Sequence, residues 1–358
     1  MEINSLSPVK FNFGKINLKK ENNSICLKDN TDFGFSYPKN YYINQIHFGK
    51  TNKEIYEQME NASSFDEVMK LFNELPDNVK NKVYAVVNIF KDNGLTLDKY
   101  LPACVKTPQL FCQFPETIEK NVMDLVNKFE SNDLTLDKYL PACVKQPPLF
   151  CQPPETIEKN VKGLVNKFED NGLTLDKYVP ACVKTPSLFY QSPETIEKNV
   201  KDLVDKFESN GLTLDKYIPA CIKQPPLFTQ SPETISTHID ILRFSKFNTG
   251  EEIDSEEFFD EILHNPMVLS FSTSLLLIKN LIIPKMFENS RVPLCLKGSH
   301  QREKLNAYLK SNPDKKYEIN VKNIASKADC VELLKETLSE ISKDALGRDD
   351  VFKVNIEE

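Results

Sequence analysis

Apolar residues recur every three or four positions along most of the chain, and residues 193–207 show the pattern most clearly. There Ile196, Val200, Leu203, Val204 and Phe207 are spaced i, i+4, i+7, i+8 and i+11. That spacing lays a single apolar stripe along a helix. Ser192, Pro193 and Glu194 offer a side-chain cap, a first-turn proline and an acid at the positive helix end. Glu194/Lys198 and Glu197/Lys201 are spaced to pair across one turn, and Asn210-Gly211 supplies a stop. Just upstream, Leu175, Tyr178, Val179 and Cys182 form the apolar side of a shorter helix, which Thr174 or Asp176 can cap. Pro180 falls within it, so the helix either starts just before the proline or kinks there. Pro186 ends it. The Pro-x-Leu-Phe that follows predicts a short 3₁₀ turn, with Leu188 and Phe189 plugging the core.

This helix pair repeats. Leu-Thr-Leu-Asp-Lys-Tyr follows Gly94, Asp133, Gly172 and Gly211, a constant step of 39 residues. Four clear units result, 94–132, 133–171, 172–210 and 211–249, joined by Pro-Ala-Cys, Pro-x-Leu-Phe and Pro-Glu-Thr-Ile strings at fixed places. Both flanks are degenerate. Leu71-Phe72 aligns with Leu110-Phe111, and Asn265 to Leu269 aligns with Gln224 to Phe228 after an insertion of two residues. An apolar stripe repeated at a fixed period is buried only against its neighbours, so the predicted fold is mainly α: an α-solenoid of helix-pair repeats. Residues 53–290 form the expected array and residues 1–52 a flexible tail, with a short strand over 41–48. Residues 291–358 lose the repeat. A strand over 317–321, a helix opened by Ser326 and Asp329 with Val331, Leu334, Leu338 and Ile341 on one side, and alternation over 351–356 predict a small α/β cap.

Composition narrows the function. The 358 residues carry a net charge of −7, so the chain as a whole is not a basic nucleic-acid binder. Glycine is scarce, at 10 residues, which argues against folds built on Gly-rich phosphate loops. The longest apolar stretch, residues 268–284, is short for a bilayer and contains Lys279, so no membrane partner is expected. The N-terminus shows no secretory signal, and the nine cysteines lack framework spacing, which predicts a cytoplasmic protein. The alternative is an effector secreted without a cleaved signal.

Candidate chemistry is thin. Gly49-Lys50-Thr51 has the ending of a phosphate loop, but Asn44 stands where its first glycine belongs. Cys104, Cys143, Cys182 and Cys221 recur once per unit, about 10 Å apart at helix-packing distance. That is too far for shared metal ligation, and they read as small buried hydrophobes. His47, His238, His264 and His300 are scattered and read as surface or helix-end histidines. No catalytic residue, metal or cofactor is predicted. The repeat does create ladders. Lys106, Lys145, Lys184 and Lys223 occupy one position just before the inter-helix turn, and Gln113, Gln152, Gln191 and Gln230 another just after it. Inside the turn the residues vary between units: Thr107, Gln146, Thr185 and Gln224 at one place, Gln109, Pro148, Ser187 and Pro226 at another. Repeat binders often contact ligands through such an edge.

The helix–Pro-x-Leu-Phe–helix unit resembles the repeat of the mitochondrial transcription termination factor family, through Leu97, Pro108, Leu110, Phe111 and their equivalents and the turn Asn265 to Ser270. The Gly-Leu-Thr opening is more faintly similar to transcription activator-like effector repeats. Both resemblances imply a helical-repeat fold and nucleic-acid binding through a basic face. The first three units instead hold one more acid than base each. The leading expectation is therefore a non-catalytic scaffold for a protein partner. Nucleic-acid binding through the lysine ladder is the alternative, and an uncharacterised enzyme the third.

Overall fold

The computed structural model describes residues 19–21, 24–26, 50–250, 255–322 and 328–357. The predicted strand over 41–48, Gly49, His47 and the Ser326 cap lie outside them. The chain is mainly helical and forms two compact units, Met1–Thr156 and Ile157–Glu358.

The predicted helix pairs recur at each repeat position. First helices span Leu97–Lys106, Leu136–Lys145, Leu175–Lys184 and Leu214–Lys223. Second helices span Pro115–Lys128, Pro154–Phe168, Pro193–Phe207 and Pro232–Thr249. Each first helix begins ahead of its proline, which sits in the interior. A proline there forfeits one backbone bond, and the helix continues for four more residues to its lysine. Thr96, Thr135, Thr174 and Thr213 occupy the N-cap positions without forming a side-chain cap bond. Asp176, offered as an alternative cap, lies inside the helix, one residue after Leu175, as an acid in the first turn. In the second helix Ser192 caps as expected, its Oγ accepting from the Thr195 amide at 3.3 Å. Glu197 pairs with Lys201 at 2.8 Å. Glu194 instead accepts from Ser192 Oγ at 2.8 Å, and Lys198 turns to Asp202 at 3.3 Å.

Within each unit, neighbouring first helices pack together, and so do neighbouring second helices. The joints are aromatic. The Tyr100 ring meets Phe150 edge-on at 5.3 Å in one unit, and Tyr178 meets Phe228 at 5.6 Å in the other. Each tyrosine thus reaches the turn phenylalanine of the following repeat. A second joint was not anticipated. Lys82 Nζ donates to the Cys112 carbonyl at 2.9 Å, Asn160 Nδ2 to the Tyr190 carbonyl at 3.3 Å, and His238 Nδ1 lies 2.8 Å from the Leu269 carbonyl. These residues share one column of the repeat and fasten a second helix to the next turn. His238 is therefore buried, not at the surface as its sequence position implied.

After the turn Pro266–Ser270, Thr273–Leu277 runs through a π-helical segment, Ile278–Ile282, into Ile283–Met286. Pro284 lacks the amide that an unbroken α-helix needs there, which accounts for the local widening. Strands Tyr317–Lys322 and Phe352–Glu357 pair in parallel, with helix Ala328–Leu346 between them in sequence. Val331, Leu334, Leu338 and Ile341 are buried along that helix, as the spacing predicts. The first strand is tied to helix Pro232–Thr249 by Asn248, which accepts from the Lys322 amide at 2.6 Å and donates to its carbonyl at 3.3 Å. Residues 19–21 and 24–26 form a small antiparallel pair in what the sequence marked as tail.

Candidate binding surface

The repeated lysines fall into two classes. Those of Leu-Asp-Lys-Tyr are engaged. Lys99 Nζ donates to the Gly94 carbonyl and Lys177 Nζ to the Gly172 carbonyl, both at 2.8 Å. Lys138 reaches the Asp133 carbonyl at 3.2 Å, and Lys216 pairs with Asp260 at 2.8 Å. These side chains close the left-handed turn that starts their own repeat or bind the next first helix. Lys106, Lys145, Lys184 and Lys223 behave differently. Each is the last residue of a first helix and is exposed, and none makes a hydrogen bond or ion pair with a described residue. A cation suits a helix C-terminus in any protein, but here every copy keeps its ammonium free.

The turn after each lysine is a short helical segment. Pro147–Phe150, Pro186–Phe189 and Pro225–Phe228 are 3₁₀ segments, and Gln109–Cys112 makes one α-helical turn at the same place. Leu149, Phe150, Leu188, Phe189, Leu227 and Phe228 are all fully buried, as expected. The variable residues divide between packing and surface. Gln224 Nε2 donates to Ser270 Oγ of the next turn at 3.0 Å, so this variation helps fit one turn against its neighbour. Gln146 is also engaged, and Thr107 and Thr185 are half-buried. Gln109 is exposed, while Pro148, Ser187 and Pro226 are half-buried. The glutamine row faces inward more than its polarity implied. Gln191 is 5% exposed, Gln113, Gln152 and Gln230 are half-buried, and Oε1 of Gln191 and Gln230 is enclosed without a hydrogen-bond partner.

Two features escaped the sequence reading. Allowing for the two-residue insertion, His264 stands at the lysine position of the divergent repeat, exposed at the end of Ser255–His264. Arg243 stands where earlier repeats bury Val126, Val165 and Val204. Its guanidinium lies 5.5, 5.1 and 5.3 Å from the Phe207, Phe258 and Phe259 rings, with Nε and Nη2 buried and lacking an acceptor. Burial pulls its pKa below the usual arginine value. The ring faces take the place of a carboxylate around this cation.

An open groove of about 430 Å³ lies along Pro115–Lys128 in the first unit. Glu116, Lys120, Asp124, Pro153, Pro154 and Glu155 line it. The equivalent position is tighter one repeat on. Gly163 replaces Asp124 there, and a Cβ on it would meet Pro193 Cγ at 3.0 Å.

Cys104, Cys143, Cys182 and Cys221 are fully buried, and burial raises each thiol well above its ordinary pKa. Burial pushes Cys151 up to about 12. Thiols held protonated are poor nucleophiles. No group of three or more His, Cys, Asp or Glu is placed to hold a metal among the described residues, and no described helix is long and apolar enough to cross a membrane.

Fold and surface together define a mainly helical chain of recurring helix pairs that presents one unpaired cation per clear repeat. No protein-family model matches the sequence, and no curated protein matches it significantly.

Proposed function

We propose that this chain is a non-catalytic binding scaffold for a protein partner, built as an α-solenoid over residues 53–290 and closed by the α/β cap of residues 291–358. One observation carries the reading: at Lys106, Lys145, Lys184 and Lys223 the lysine is exposed and unpaired in all four clear repeats, while the other first-helix lysine is engaged in all four. A cation with no role in holding the repeat together is available to a ligand. The buried thiols and the open groove offer nothing that resembles an activated nucleophile or an enclosed cleft. The free thiols of the described cysteines fit a cytoplasmic protein.

The test is partner capture with the full chain, in nuclease-treated extract, against two charge-reversed variants. Lys184→Glu/Lys223→Glu alters the turn edge, and Lys198→Glu/Lys201→Glu alters the second helix. A protein retained by the wild type and the second-helix variant, but lost from the turn-edge variant, supports the scaffold. Capture that disappears with nuclease treatment supports the nucleic-acid reading instead, in line with the family resemblance.

A further inference from the structure

Resting on that reading, we infer that the turn edge receives an extended, acidic protein segment with a carboxylate at about every third residue. The geometry comes from the second unit. Helices Leu175–Lys184, Leu214–Lys223 and Ser255–His264 are successive neighbours there, each ending in Lys184, Lys223 or His264 at the same repeat position. Packed helices stand roughly 8–10 Å apart. A chain in the extended polyproline II form advances about 3.1 Å per residue with three residues per turn, so every third side chain faces the same way and three residues carry it from one of these side chains to the next. The first unit offers the same step between Lys106 and Lys145, on neighbouring helices Leu97–Lys106 and Leu136–Lys145.

Charge placement selects the width of the ligand. From each of these lysines to the proline that opens the second helix, the turns contain no acid. Just beyond that proline stands Glu116, Glu155, Glu194 or Glu233, each exposed. The edge is thus a narrow basic row bordered by an acidic one. Ser192 Oγ holds the Glu194 carboxylate at 2.8 Å, and this bond, with its backbone hydrogen bond, keeps it below its ordinary pKa. Glu233 is likewise lowered, through its backbone and Ser231. Glu194 and Glu233 therefore stay charged at neutral pH. A duplex, with one phosphate charge per ~1.7 Å of axis, would leave most of its charge unmatched by lysines about 10 Å apart. It would also press phosphates against the glutamates. A single extended peptide strand is narrow enough to follow the lysines alone.

The experiment is fluorescence anisotropy with the full chain and a labelled fifteen-residue peptide carrying Glu at every third position in a Ser/Thr background. The comparisons are a peptide of identical composition with its glutamates clustered at one end, and single-stranded and duplex oligonucleotides. The spaced peptide should bind more tightly than the clustered one. Lys184→Glu/Lys223→Glu should weaken it at least tenfold, and Lys198→Glu/Lys201→Glu should leave it within twofold. Urea unfolding of both variants confirms that they fold. Equal affinity for the two peptides, insensitivity to the turn-edge reversal, or displacement of the peptide by an oligonucleotide at lower concentration would each overturn the inference. If the partner captured above is lost with the turn-edge variant while the spaced peptide fails to bind, the scaffold reading stands and the acidic ligand does not.

Discussion

His238 shows how one residue can be misread from its sequence surroundings and explained by its column. Earlier repeats carry Asn121, Asn160 and Asn199 at this place, and the structure uses the column to fasten a second helix to the next turn. Burial lowers the His238 pKa below 6.5, opposed in part by the Leu269 carbonyl. A neutral imidazole is thus favoured in the folded chain. Its contribution is complete above the unfolded-state pKa and is lost as pH falls through the lower folded-state value. Urea midpoints measured at pH 7.5 and 5.5 should fall more on acidification for the wild type than for His238→Asn. Equal falls would remove the histidine from the pH response. Phe228 is fully buried and meets Tyr178 edge-on, so Phe228→Ala should cost about 3–5 kcal/mol in urea unfolding. Lys223→Ala, four residues from that turn's core, should change stability by less than about 0.5 kcal/mol. A large loss with Lys223→Ala would give that lysine a structural role and weaken its assignment to a ligand.

At the scale of the element, helices, caps and turns were legible wherever local chemistry decides them. The Ser192 cap, the Leu-Phe plug and the left-handed stop at Gly211 (φ 88°) all follow from residue type. Side-chain pairing was less legible. Glu194 has a helix neighbour at i+4 and a serine two residues before it, and spacing alone does not say which wins. The interior prolines were legible as a conflict and not as an outcome, because residue type alone does not show the packing that holds the helix through Pro180. One stop tests the local rules directly. Asp133 occupies the left-handed position, φ 66°, that the other three clear repeats fill with glycine. Asp133→Gly should therefore stabilise the chain by about 0.5–1 kcal/mol despite the entropy glycine adds to the unfolded state. Unchanged or lower stability would mean that the contact between Lys138 and the Asp133 side chain repays the backbone strain.

For the whole molecule, periodicity carried the reading furthest, since a repeat states the same structural instruction several times over. The candidate surface was legible as rows of like residues at 39-residue intervals. What the rows do was not, because sequence cannot tell an engaged lysine from a free one. Lys177 and Lys184 lie seven residues apart on one helix, yet one closes a turn and the other makes no contact of this kind. His264 joined the lysine column only once the two-residue insertion before it was placed. The Asn248 clasp on Lys322, joining positions 74 residues apart, had no sequence signal. We propose that one 39-residue repeat is the unit of folding. Deleting residues 172–210 tests it most directly, because the cut removes one repeat and restores the same junction. Far-ultraviolet circular dichroism during urea unfolding should show a helical signal reduced in proportion to the residues lost, with a transition that stays cooperative. A collapsed helical signal or a broad, non-cooperative transition would contradict the claim.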